Sequence, residues 1–310
     1  MGPKSKSWKK MFFFKIKKCL FPMDSMSAGA AGAGGAGFVD VAAVVVALGI
    51  LAFAALVARM KELEYFRPSR QFPLTVERYD EVNVGNLNGR LLRPSAGYSK
   101  IVLLCHGNGS NVAKEEWRMA GLRDLGYAVL AFDYSGYGKS GGVPSEKSMY
   151  RDASVMVALL LTTHDPGEIV VYGFSMGASV AAYVAARYAI PTLVMESPLS
   201  SMREVIKRRY RFLGIISLLC PEFDTAAHLA KFHLPAGPGG PGGPPGPPGP
   251  LGRRSRSLLM HGPEDEIVPY ESVGKLIRMC TRHIQIRGTH ERPVLPWDEI
   301  GAFIGGLTAL

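Results

Sequence analysis

The stretch EIVVYGFSMGASVAAYVAARY, Glu168 to Tyr188, decides the fold. It opens on Ile169, Val170 and Val171, a β-branched apolar run suited to a strand buried on both faces. It closes on an alanine-rich run, the composition of a helix. Between them stands Gly173-Phe174-Ser175-Met176-Gly177. A sharp strand-to-helix turn brings its flanking residues against neighbouring backbone, which favours glycine at 173 and 177. A serine at the apex then projects its hydroxyl above the sheet, where the amino end of the next helix favours developing negative charge. Alone, Gly-x-Ser-x-Gly is also an ordinary turn, because glycine and serine are common there. The rest of the chain has to choose.

Outward from this turn, strand and helix patterns alternate. VERYDEVNV and GRLLRP, separated by GNLN, predict a hairpin. KIVLLCHG and YAVLAFDY predict buried strands, and EIVVYG, PTLVMES, SLLMHG and HIQIRG predict further strands. EEWRMAGLRDLG, a helix from near Ser145, VGKLIRMCTR and a last helix around WDEIGAFIGGL fall between or after them. The class is therefore α/β, with a mostly parallel sheet and helices on both faces, over residues 79–306. The alternation breaks at 198–233, which is helix-like and sits where a small helical cap would cover a pocket. It breaks again at a Gly/Pro-rich insert, 235–256. There glycine recurs at 237, 240, 243, 246, 249 and 252, the period of collagen. Both ends are tied to one fold, so an extended or disordered surface loop is expected, with a trimerisation element as the alternative.

A hydrolytic serine needs three further parts. Backbone donors must face the developing oxyanion. The N–H of Met176 is one; HGNG, directly after a buried strand, offers Asn108 or its neighbour Gly109 as the other. An acid must follow a late strand, and GPEDE offers Glu264, Asp265 and Glu266. A histidine must come after it. His290, in GTHERP, fits; His283, at the start of the last strand, is the alternative. His106 and His261 each precede glycine at a strand end and are expected to orient loops. The order Ser, acid, His is that of α/β-hydrolases.

LCHGNGSN, FDYSGYGKSGGVPSEKSMYRD, VYGFSMGASVAAYVAARY, ESPLSS and MHGPEDEIVP resemble the α/β-hydrolase-domain proteins. Within that superfamily they are similar to a membrane-associated branch of protein depalmitoylases and serine aminopeptidase-like hydrolases. The resemblance implies an α/β-hydrolase fold and places the acid at Asp265, through the pattern HG-x-x-D-x-x-V-P. It implies a Ser175–His290–Asp265 triad with no metal or cofactor. Two features depart from the pattern: the Gly/Pro insert, and Glu291-Arg292-Pro293 after the histidine. The cysteine-rich amino terminus of depalmitoylases is absent.

The 310-residue chain carries a formal net charge of +10, but not as a nucleic-acid surface. Residues 1–58 hold seven lysines, no arginine and only Asp24 and Asp40, so half the excess lies in a short head. That head and its small-residue linker, 1–37, interleave lysine with Trp8, Phe12, Phe13, Phe14 and Phe21, as an anionic membrane surface favours. Cys19 beside the lysines is a candidate for S-acylation, whereas Lys6 stands where a myristoylation signal needs Ser or Thr. A transmembrane helix is expected within 38–60, where Val41 to Ala58 are uncharged and apolar. Eighteen helical residues rise about 27 Å, near the hydrocarbon thickness of a bilayer. The lysine bias predicts a cytoplasmic head and a lumenal or extracellular domain. A sequon, Asn108-Gly109-Ser110, lies in the candidate site itself. Four dispersed cysteines indicate neither zinc nor a disulfide framework.

The expectation is a membrane-anchored serine hydrolase cleaving acyl esters or thioesters of a membrane lipid or acylated protein. An acyl chain would lie beneath the cap near Phe212, Ile215, Ile216 and Leu218, with Arg203, Lys207, Arg208, Arg209 and Arg211 toward anionic head groups. The rivals are a serine peptidase of the same fold and a non-catalytic membrane scaffold that uses the collagen-like loop for partners. The sequence assigns no oligomeric state.

Overall fold

The computed structural model describes residues 44–51, 53, 66–72, 77–209, 221–234 and 255–306. The chain divides into two units, Met1–Ala52 and Phe53–Leu310. In the first, residues 44–51 are helical, and Val45, Val46, Leu48, Ile50 and Leu51 are all exposed. Among the described residues no helix is long and apolar enough to cross a membrane. The span expected at 38–60 lies mostly outside them, as do the 1–37 head and all but the last two residues of the insert.

The second unit is built on one eight-stranded sheet ordered β1-β2-β4-β3-β5-β6-β7-β8. Its strands are β1 (Asp80–Val84), β2 (Leu87–Leu92), β3 (Ile101–Cys105), β4 (Ala128–Phe132), β5 (Ile169–Phe174), β6 (Thr192–Glu196), β7 (Arg256–His261) and β8 (Arg282–Gln285). The expected hairpin forms β1 and β2, with only Gly85 and Asn86 in its turn. β2 joins β4 antiparallel, and every later pairing is parallel. Two further two-residue strands, β9 (Arg287–Gly288) and β10 (Pro293–Val294), pair with each other.

Seven helices accompany the strands in this unit's described residues: α1 (Glu116–Asp124), α2 (Glu146–Leu160), α3 (Met176–Arg187), α4 (Met202–Arg209), α5 (Thr225–Phe232), α6 (Gly274–Met279) and α7 (Trp297–Gly305). The central strands β3, β4 and β5 read as near-continuous apolar runs because both faces are covered. Ile101, Leu103, Ile169 and Val171 pack in one core with Met156 of α2, Val180 of α3 and Leu229 of α5. Val102, Leu104, Val170 and Tyr172 pack in the other with Leu122 of α1 and Ile304 of α7. α2 starts where expected: Ser145 accepts the Ser148 N–H, and Ser148 returns the bond to the Ser145 N–H. Such a cap stabilises a helix by about 1 kcal/mol.

Within the segment expected as a cap, α5 packs on α3 and buries Ala226, Leu229 and Phe232 in the core. The chain enters α5 under the grip of Glu146, whose carboxylate accepts the N–H groups of Glu222 and Phe223, both at 2.8 Å. Residues 210–220, with Arg211, Phe212, Ile215, Ile216 and Leu218, lie outside the described residues. Beyond α5, the His233 ring bonds Ser255 Oγ (3.2 Å) and Ser257 Oγ (3.1 Å), which joins the two ends of the insert.

The connection after β3 leads to β4 on one side, and the chain then crosses back to β5 on the other. In open α/β sheets, ligands bind at the carboxyl ends of the strands where the order reverses in this way. Here that point lies between β3 and β5, with Cys105 paired to Gly173.

Candidate active site

Ser175 stands at the carboxyl end of β5 and caps α3. Its backbone is at φ 56°, ψ −119°, a region that L-residues avoid. Strain of this kind persists only where the surroundings dictate it, and it clusters at functional sites. Here a hydrogen bond from the Ser175 N–H to the Glu196 carbonyl, 2.8 Å, holds the turn against β6. The turn also needs bare backbone. A Cβ on Gly177 would sit 2.1 Å from the Cys105 carbonyl oxygen and 2.5 Å from that of His106, backbone with nothing flexible to yield. Gly177→Ala is therefore expected to cost about 3 kcal/mol, read as a drop in thermal midpoint. A midpoint unchanged from wild type would mean that the elbow is not packed in this way.

Asp265 lies in the turn after β7 and is 7% exposed. Its Oδ1 accepts the N–H groups of Ile267 (3.0 Å) and Val268 (2.7 Å). Its Oδ2 meets Nδ1 of His290 at 2.7 Å. A carboxylate only accepts, so the His290 proton sits on Nδ1 and bare Nε2 faces Ser175 Oγ, 2.9 Å away, which donates to it. Burial raises the Asp265 pKa. The hydrogen bond and charge of His290, the Val268 N–H and the charge of His261 outweigh it, so the carboxyl titrates below its usual value. The structure thus brings together Ser175, His290 and Asp265, three residues separated by 115 and 25 positions in the chain.

Glu264 and Glu266, the other candidate acids, do something else. Glu264 accepts the Gly288 N–H (2.9 Å), and Glu266 accepts that of His290 itself (3.1 Å). They clamp the hairpin of β9 and β10, whose tip carries His290. Glu291, Arg292 and Pro293 complete this hairpin, with Pro293 paired to Gly288. His283, the alternative base, lies on the edge strand β8 beside Tyr270, 3.5 Å from its hydroxyl. His106 and His261 are buried at strand ends. His106 bonds the Gly107 carbonyl (2.9 Å) and His261 that of Val268 (3.0 Å). Burial lowers the pKa of both.

The HGNG loop lies against the elbow. A Cβ on Gly107 would come 2.9 Å from the Phe174 ring and 3.3 Å from Ser175 Cβ. Asn108 is fixed through its side-chain oxygen, which accepts from Tyr137 Oη and from the Arg67 N–H, both at 2.8 Å. Gly109 follows at φ 84°. Ser110 donates to Glu115 (2.5 Å), so the side chains of the Asn108-Gly109-Ser110 sequon are tied into the fold. Asp133 braces the same region, accepting the Val112 and Lys139 N–H groups, each at 2.9 Å. Met176, the other expected donor, is the first residue of α3 and is buried.

Behind the elbow is an ionic cluster that the sequence reading did not single out. Arg118 of α1 binds Glu196 through two nitrogens (2.9 and 2.7 Å) and Glu115 through a third (2.6 Å). All three side chains are at most 3% exposed. The one signal was Glu196, a carboxylate ending the otherwise uncharged strand TLVME. Among the described residues, no group of three or more His, Cys, Asp or Glu side chains is placed to hold a metal ion.

Comparison with known proteins gives concordant results. A family profile described as serine aminopeptidase, S33, matches residues 97–233. An uncharacterized protein of Mycobacterium tuberculosis is 30% identical over 275 residues, covering 80% of this chain and 90% of that protein. Human alpha/beta hydrolase domain-containing protein 17B is 27% identical over 195 residues, covering 62% of this chain and 58% of that protein. Among solved structures, an esterase of Pyrococcus furiosus superposes with a TM-score of 0.58 at 21% identity, over 78% of this chain and 97% of its own. This last likeness concerns the fold.

Proposed function

We propose that this chain, a member of the α/β-hydrolase family whose residues 97–233 match the profile described as serine aminopeptidase, S33, is a membrane-anchored serine hydrolase cleaving acyl ester or thioester bonds. The observation that carries this reading is the relay from Ser175 Oγ to His290 Nε2 (2.9 Å) and from His290 Nδ1 to Asp265 (2.7 Å). His290 accepts the Ser175 proton as Oγ attacks the acyl carbon. The N–H groups of Met176 and of Asn108 or Gly109 stabilise the oxyanion, each such donor lowering the barrier by about 3 kcal/mol. The imidazolium then protonates the leaving group, and an acyl-enzyme on Ser175 remains. Water, activated by the same histidine, releases the acid. Asp265 holds the imidazole tautomer and stabilises its cation throughout.

Anchoring is supported by the 18 uncharged residues from Val41 to Ala58 behind seven lysines. It is supported too by the helix at 44–51, whose Val45, Val46, Leu48, Ile50 and Leu51 are 59–64% exposed. Apolar surface on every side of a helix finds its cover in a bilayer. The lysine bias supports a cytoplasmic head with the hydrolase domain across the membrane. The substrate is then an acylated protein or a lipid of that membrane. The family description favours a second reading, a serine peptidase working through the same three residues.

One experiment tests the chemistry. The full chain in detergent is treated with a fluorophosphonate probe, and the adduct is mapped by mass spectrometry. Labelling at Ser175 is expected; folded protein that takes up no probe overturns the reading. Initial rates on p-nitrophenyl acyl esters, acyl thioesters and aminoacyl anilides then separate the alternatives. Hydrolysis of the anilide alone assigns the peptidase.

A further inference from the structure

We propose that Arg118 is a positioning residue for this reaction, one buried cation that fixes the nucleophile elbow and the oxyanion loop relative to each other. The inference rests on the serine-hydrolase reading above. Its three nitrogens make two links, to Glu196 and to Glu115, and its face makes a third, to Phe174. Nε and Nη2 donate to the Glu196 carboxylate (2.9 and 2.7 Å), which also accepts Tyr172 Oη (2.5 Å) from β5. The carbonyl of that same Glu196 accepts the Ser175 N–H at 2.8 Å. Nη1 donates to Glu115 (2.6 Å), whose other oxygen accepts Ser110 Oγ, two residues beyond Asn108. The guanidinium carbon lies 3.9 Å from the centre of the Phe174 ring, and that ring stands 5.2 Å from the ring of His290. Elbow, oxyanion loop and base are thus all within one or two contacts of a single side chain.

The chemistry of the links explains why it is arginine. A rigid planar fork serves two carboxylates and still presents a face to an aromatic ring. Lysine keeps the charge but has neither the fork nor the plane. Two buried carboxylates against one guanidinium leave an excess negative charge, which the hydroxyls of Ser110 and Tyr172 solvate as donors. None of these groups touches Ser175 Oγ. Their effect reaches the reaction through the placement of the Ser175 and Asn108 backbone.

The test uses the full chain in detergent, with a short p-nitrophenyl ester for turnover and a fluorophosphonate to count active sites. Arg118→Lys is expected to lower kcat per active site by about 10- to 100-fold with KM within about twofold, because the fault lies in alignment and not in binding. Ser110→Ala is expected to lower kcat less. Added to Arg118→Lys it should produce no further loss, since the Glu115 link is already broken. A folded Arg118→Lys with wild-type kcat overturns the proposal, and so do losses that simply multiply in the double variant. A purely structural role would reduce the number of active sites and leave kcat per site intact. Should Arg118→Lys fail to fold, Ser110→Ala decides alone: unchanged kcat overturns the proposal. Wild type that takes up no probe sinks the hydrolase reading itself, a result distinct from labelled wild type with indifferent variants.

Discussion

Alanine at position 175 is expected to remove hydrolysis by on the order of 10⁴- to 10⁶-fold and to abolish fluorophosphonate labelling, with the fold intact. The size follows from the relay. With Oγ gone, His290 Nε2 has no proton to accept, and water must attack without a nucleophile placed at the elbow. The alternation of residual and lost function matters here. Oxyanion donors and substrate binding survive the change, so a small residual rate over water is expected to persist. Stability should move by no more than about 1 kcal/mol, since one hydrogen bond is lost and the φ of 56° is as strained for alanine as for serine. Paired measurement of thermal midpoint and turnover checks both halves. An alanine variant keeping a tenth of the activity would remove Ser175 from the chemistry.

Asp265→Asn is expected to lower kcat by about 10⁴-fold, for a reason specific to this turn. Oδ1 accepts two N–H groups, from Ile267 and Val268. Only the oxygen of an asparagine can take that place, so its NH₂ must face His290. The imidazole then accepts at Nδ1 and carries its proton on Nε2, against Ser175 Oγ, where it can no longer act as a base. The stability signature has a definite sign. The folded carboxyl titrates below its ordinary value of 3.8. Its contribution is therefore fully present above that pH and is lost as pH falls through the lower folded value. The stability gap between wild type and Asp265→Asn should be constant near neutrality and close in acid. Denaturant melts across that range test it. A gap that widens on acidification, or an asparagine variant with wild-type kcat, would sink the assignment.

What the sequence disclosed and what it withheld have physical causes. The parallel strands were readable because burial on both faces makes them continuous apolar runs, as in β3 and β5. The elbow was readable because two of its positions tolerate only glycine. The acid was different: Glu264, Asp265 and Glu266 are adjacent, and composition cannot say which one faces an imidazole. Family resemblance chose Asp265, and the geometry accounts for its neighbours as clamps on the hairpin. Arg118 stayed hidden because a basic residue on a nine-residue helix reads as solvent-facing. Its burial depends on Glu196, 78 residues away, which no local pattern registers.

The His233 pin decides where changes in the length of the insert fall. The two serines it holds stand at the amino end of β7, while Asp265 follows the carboxyl end. Six strand residues separate those ends by about 20 Å. The described ends of the Gly/Pro tract therefore meet at the opposite end of β7 from Asp265. Lengthening or trimming a tract so tethered costs only about 0.6 kcal/mol per doubling of its length. A change in the tract's length therefore falls at the end of β7 remote from Ser175, His290 and Asp265.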